Sequence, residues 1–204
     1  MRSANVARSG SIRISGGHLR GRKIEVPAGS LVRPMRTRVR ESLFSIIQQQ
    51  LSGARVLDVF AGSGALGIEA VSRGARQAIH VEKDRAVQAL LRKNLETLGI
   101  PAQCKVLEMD AYRLTDRPPV GGEFEVILLD PPFPDYSRPG SIPWQLASDL
   151  AGGEWLAAGG ILAIEHPSRE PTATPPPGLT ARQNRRYGDT RLTIWEKSAA
   201  DQPS

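Results

Sequence analysis

The stretch RVLDVFAGSGALGIEA, residues 55–70, leaves a chain of this kind little freedom in how it folds. An apolar run ends in the carboxylate Asp58, three glycines follow at 62, 64 and 67, and an apolar helix-type pattern begins at once. A buried strand that turns back as a helix needs a crossover before the next strand, and crossovers build parallel sheets. The pattern then recurs. AIHVE (78–82) is a second strand, followed by a helix from the N-cap Asp84 to about Leu98 that Gly99 and Pro101 close. CKVLEMD (104–110), EVILLD (125–130) and GILAIEH (160–166) supply three more strands, with PWQLASDLAGGEWL (143–156) as a helix before the last. The expected class is α/β with a mainly parallel sheet.

Both ends depart from this alternation. SIRISGGHLRGRKIEVP places Ile12 and Ile14, then Ile24 and Val26, around a Gly-rich centre, the pattern of a β-hairpin. From Thr37 the residues Val39, Leu43, Phe44, Ile46, Ile47 and Leu51 form one helical stripe that Gly53 stops. Past the Pro-rich PTATPPPG (171–178), two β-type runs meet at Gly188 and Asp189 and predict an antiparallel hairpin. The expected division is a basic hairpin region, 1–34, and a catalytic domain, 35–204.

The glycine loop alone is weak evidence, because Gly-rich strand-to-helix turns are common. Its surroundings add to it: Glu82 ends the next strand twenty residues beyond Gly62, where an acid can bind both hydroxyls of a ribose. NAD and S-adenosyl-L-methionine both satisfy that reading. Asp58 separates them, since its charge ahead of the loop opposes a pyrophosphate and favours a ligand ammonium group. Asp110 ends the third strand, where it can accept from an adenine amine. The candidate cofactor contacts are therefore Asp58, Phe60, Ala61, Gly62, Ser63, Gly64, Glu82, Lys83, Asp110 and Ala111, with Asp130 at the shared edge.

The fourth strand ends in DPPF, residues 130–133. Proline donates no ladder hydrogen bond, so Pro131 and Pro132 make a rigid exit with unspent carbonyls. Ligands of open parallel sheets bind beyond the carboxyl ends of the strands, which puts Asp130 in the crevice with the other three acids. A carboxylate, the Pro131 carbonyl and the flat face of Phe133 together suit a planar ring bearing an exocyclic NH2.

Charge points to the partner. The chain carries +6 overall, yet residues 1–40 hold ten Arg or Lys against the single acid Glu25, while the remainder holds 17 against 20. Such a front fits a polyanion, with Arg13, Arg20, Arg22, Lys23, Arg33 and Arg36 as candidate RNA contacts. A merely solvated tail is the plainer alternative. Cys104 is the only cysteine, which excludes an internal disulfide, and no apolar run nears the ~18 residues of a membrane span. The three histidines, His18, His80 and His166, are scattered and suggest no metal site. A cytoplasmic monomer without metal is expected.

Taken together, RISGGHLRGRKIEVP, RPMRTRVRESLF, LDVFAGSGALGIEAVSRGA, LLDPPF and RYGDT resemble the bacterial family that methylates guanine N2 in small-subunit (16S) ribosomal RNA. The resemblance spans nearly the whole chain. It implies a Rossmann-like class I methyltransferase with a seven-stranded sheet, S-adenosyl-L-methionine as methyl donor, and 16S rRNA or the assembling small subunit as partner. It also implies direct transfer, with Asp130, Pro131, Pro132 and Phe133 as the catalytic set. One departure stands out: where the family usually has Thr-Thr-Asp after Arg-Pro, this chain has Met35, Arg36 and Thr37. An adenine-N6 methyltransferase of DNA or RNA shares DPPF and is the alternative; a dehydrogenase or a non-catalytic assembly factor explains fewer of these residues.

Overall fold

The computed structural model describes residues 10–27, 35–138 and 140–199. Arg33, one of the candidate RNA contacts, lies outside them. Two short strands, β1 (Gly10–Arg13) and β2 (Lys23–Val26), pair antiparallel with Ile12 opposite Ile24. Helix α1 (Thr37–Ile46) follows. The alternating core then runs β3 (Arg55–Val59), α2 (Ala65–Ser72), β4 (Gln77–Glu82), α3 (Arg85–Leu98), β5 (Cys104–Glu108), β6 (Phe124–Leu129), α4 (Ile142–Gly152) and β7 (Leu156–Pro167). Strands β8 (Leu179–Tyr187) and β9 (Thr190–Lys197) close the chain.

Seven strands form one sheet in the order β5-β4-β3-β6-β7-β9-β8. The first five run parallel, and β9 pairs antiparallel with both β7 and β8. The central strand β3 is buried along its whole length, as a strand covered on both faces must be. One face packs Leu57, Val59, Ile127, Leu129 and Trp195 against α4; the other packs Val56, Leu128 and Ile194 against α1.

Local chemistry sets the element ends. The Asp84 side chain accepts from the Ala86 and Val87 amides at 2.8 and 3.0 Å, and Gly99 closes α3 at φ 76°. Two expected boundaries shift. The stripe begun at Thr37 is α-helical only to Ile46 and finishes as a 3₁₀ turn at Gln48–Gln50, still burying Ile47 and Leu51. Helix α4 stops at Gly152, and the next segment is already strand from Leu156, because Phe124 takes the carbonyl of Trp155 at 2.8 Å.

The N-terminal hairpin lies across α2 and α3. Ile14, Leu19 and Ile24 join Ala61, Ile68, Leu91 and Leu95 in one buried cluster. Its turn is tied to the C-terminal end of α2: the His18 amide donates to Ser72 O at 2.8 Å, and Glu69, 1% exposed, accepts from Ser15 N and Oγ and from Arg73.

Candidate active site

Between β3 and α2 the backbone is forced into a tight cup. Phe60 takes φ 65°, a left-handed conformation that costs a non-glycine residue free energy and marks strain at a strand end. Gly64 follows at φ 84°, and a Cβ there would stand 2.3 Å from Leu91. Gly67 has an ordinary φ but no space: its Cβ would sit 2.3 Å from the His80 ring. The glycine spacing in the sequence is thus explained by two left-handed backbone positions, Gly62 at φ 54° and Gly64 at φ 84°, and by close helix-strand packing at Gly67.

The acids sit around this cup in different ways. Glu82 Oε2 accepts from Gly62 N at 3.0 Å and Oε1 from Asp84 N at 2.8 Å, which fixes the carboxylate at the rim. Asp58 lies underneath, 1% exposed, its Oδ2 accepting from Gly67 N at 2.9 Å and facing His80 Nδ1 at 3.1 Å. Burial alone would lower the His80 pKa, but the hydrogen bond to Asp58, with a smaller share from Cys104, raises it to about 9. Asp110 accepts from Tyr112 N at 3.2 Å and faces Lys83 Nζ at 3.3 Å. Tyr112 meets Phe60 edge-on at 5.2 Å, making an aromatic wall between Asp110 and the cup.

Asp130 begins where β6 ends, its amide donating to Val59 O at 3.4 Å. Its carboxyl is held well above the usual carboxylate range, first by burial, then by the charges of Glu165 and Asp58. Glu165 is 4% exposed and one step past the Leu129–Ile164 register pair, so it stands beside Asp130 and shares a hydrogen bond with it. Its Oε1 accepts from Thr190 Oγ1 at 2.7 Å, and its backbone carbonyl accepts from Tyr136 at 2.9 Å. The Met35 amide also donates to Asp130. Met35 itself is buried, and Arg36 pairs with Asp189 at 2.9 Å, so these two replacements are held by contacts of their own.

Beyond Asp130, Phe133 opens a 3₁₀ turn and faces a cavity of about 480 Å³. The opposite wall comes from the end of β7 and the β8–β9 turn, with Ser168, Arg169, Arg186, Gly188 and Asp189. The size falls within the range of small-ligand sites.

Of the residues singled out in the sequence, Phe60, Gly62, Gly64, Glu82, Lys83, Asp110, Asp130, Phe133 and Arg36 lie at the carboxyl edge of the sheet, with Asp58 beneath them. Asn94 reaches this loop too, donating to the Ser63 carbonyl at 3.1 Å. Arg20 and Arg22 do not lie there. The hairpin turn is fixed to the far ends of α2 and α3, His18 N donating to Ser72 O at 2.8 Å and Arg22 to Thr97 O at 2.8 Å, while Arg13 bonds within the hairpin to Gly21 O at 3.0 Å. Sequence reasoning missed Tyr112, Arg169, Arg186 and Glu165. The last carried a visible signal: like Asp58, Glu82, Asp110 and Asp130, it is an acid at the end of an apolar strand-type run.

The model of the family described as Conserved hypothetical protein 95 matches residues 12–196. The chain is 35% identical over 199 residues to ribosomal RNA small subunit methyltransferase D of Escherichia coli K12, covering 98% of this chain and 96% of that protein. The protein of the same name from Haemophilus influenzae is 35% identical over 167 residues, 81% and 84% of the two chains. The solved structure of yhhF from Escherichia coli superposes with a TM-score of 0.81 at 34% identity, covering 94% of this chain and all of that one.

Proposed function

The chain belongs to the Conserved hypothetical protein 95 family, which includes ribosomal RNA small subunit methyltransferase D, and from that premise we propose that it methylates the exocyclic N2 amine of a guanine in 16S rRNA. The fold is that of a class I methyltransferase. The observation that carries the reading is Asp130, a carboxyl just past the end of β6, three residues before the cavity-lining Phe133 and bonded by its amide to Val59 O just ahead of the glycine cup.

The cup fits S-adenosyl-L-methionine, which supplies an electrophilic methyl group on a sulfonium. Glu82, held by two amides, is placed to accept from a ribose diol, and the Phe60–Tyr112 wall offers a face to an adenine beside Asp110. Asp58 acts from below, fixing the start of α2 through Gly67 N.

At the other side of the edge, Phe133 receives the base once it has left its stack. The amine lone pair is delocalised into the ring, so positioning and fixed acceptors supply most of the acceleration. The Asp130 carboxylate and the Pro131 carbonyl accept the amine hydrogens. With the donor bound, the C–N bond would form as the sulfonium S–CH3 bond breaks and a neutral thioether leaves, and Asp130 is the base that would take the proton lost from nitrogen. Glu165 and the Met35 amide hold Asp130 in place for both steps.

Guanine is favoured over adenine by the ring edge. Guanine carries N1–H beside its amine, so two oxygens of one carboxylate can accept both hydrogens; adenine presents an acceptor there. The test is label transfer from S-adenosylmethionine to unmodified small-subunit rRNA, followed by digestion to nucleosides. N2-methylguanosine is expected, and Asp130→Ala should abolish transfer while cofactor binding survives. Label in N6-methyladenosine, or a fully active Asp130→Ala variant, overturns the reading.

A further inference from the structure

We propose that Arg169 and Arg186, at the rim of the Phe133 cavity, hold the RNA phosphates that flank the target nucleotide, an inference that rests on the reading above. Arg186 sits on β8 opposite Arg191 of β9, next to the two-residue turn at Gly188 and Asp189. Its Nε donates to Gly188 O at 2.8 Å, which ties the guanidinium to the turn that walls the cavity. Arg169 leaves β7 on the same wall, its side chain 78% exposed and 3.9 Å from Glu170. The one acid lining the cavity, Asp189, is offset by Arg36 at 2.9 Å. The lining therefore carries a net positive charge and includes one aromatic ring, Phe133.

That combination is how proteins hold single-stranded nucleic acid: a ring on which a base stacks, with cations tracking the backbone beside it. An extruded nucleotide carries a phosphate on each side of its sugar, so a cavity built for the base requires cations at its lip. The guanidinium fork suits phosphate oxygens better than an ammonium would. The arrangement also places these contacts on the sheet edge that holds Asp130, so they position the reacting base as well as adding affinity.

The experiment measures binding of unmodified small-subunit rRNA across a salt series, and single-turnover methylation at saturating RNA, for the full chain and for Arg169→Ala/Arg186→Ala. Each phosphate contact on a single strand contributes about 0.7 to the slope of log affinity against log salt, so the double variant should be flatter by about 1.4. Its single-turnover rate should fall at least about tenfold with S-adenosylmethionine affinity unchanged, because displacing a reacting group by an ångström costs far more than binding. Arg169→Lys/Arg186→Lys should keep most of the slope and only part of the rate, which separates charge from geometry. An unchanged slope with full guanosine methylation refutes the phosphate site. Salt-dependent binding without any methylation by the unaltered chain refutes the activity instead.

Discussion

Each end of this chain is a basic antiparallel hairpin, and the two do opposite things. The β1–β2 hairpin carries Arg13, Arg20, Arg22 and Lys23, but its turn is fixed to the C-terminal ends of α2 and α3, opposite the strand ends that hold Asp130. Its apolar side fills the cluster around Ile24 and Ile68. The β8–β9 hairpin extends the main sheet, and its turn projects at the carboxyl edge, where Gly188 and Asp189 wall the Phe133 cavity. Net charge along a sequence therefore does not say which face of the fold the basic residues reach.

If the N-terminal hairpin chiefly caps the helices, removing its core should cost stability and spare chemistry. Ile24 is 2% exposed, and Ile24→Ala should cost about 2–5 kcal/mol in denaturant unfolding, with single-turnover methylation of the folded protein unchanged. A loss of rate at full foldedness would erase the contrast.

The C-terminal hairpin should instead act on chemistry, through Thr190 and Glu165. Glu165→Gln replaces a charge beside Asp130 and should slow transfer on the high-pH plateau, where Asp130 is ionised in both proteins, by about 1–3 kcal/mol, the scale of a charge-assisted hydrogen bond. The pH profile tests the cause. Asp130 accepts hydrogens only when ionised, and its folded pKa is raised, so the rate should climb as pH rises through a range above that of ordinary carboxylates. Removing the Glu165 charge should move that limb to lower pH. Stability runs the other way: a carboxyl that prefers its proton when folded contributes fully below its unfolded pKa and loses that contribution as pH rises through the folded one. A profile that does not move would assign Glu165 to packing alone.

The smallest effects belong to a matched pair of surface contacts. Lys93 meets Glu25 at 2.8 Å on the first hairpin, and Arg36 meets Asp189 at 2.9 Å on the second, all four side chains being over 40% exposed. Lys93→Ala and Arg36→Ala should each cost less than about 1 kcal/mol of stability. Only Arg36→Ala should raise the KM for rRNA, since it alone leaves Asp189 unbalanced at the cavity. Equal KM values would break the comparison at its mouth.

The alternation of elements, the caps at Asp84 and Gly99, the glycine loop and the acid-tipped strands were legible in the sequence, because each rests on contacts within a few residues: periodicity, a side chain meeting an amide two or three positions on, a backbone that only glycine tolerates. The abrupt exit after β6 could be read in DPPF for the same reason, its prolines fixing their own geometry. The sequence alone does not reveal why Gly67 must be glycine, since the His80 ring that excludes a Cβ comes from the neighbouring strand. It is equally silent on Glu165 beside Asp130, joined by strand register across 35 positions of sequence, and on Arg186 lining one cavity with Phe133. Those juxtapositions depend on which strands become neighbours, and strand order is decided by burying whole apolar faces together. Basic residues at both ends gave the same local signal, and only the packing of one hairpin on the helices and the other on the sheet turned the first hairpin's tip to the C-terminal ends of α2 and α3 and the second's to the carboxyl edge.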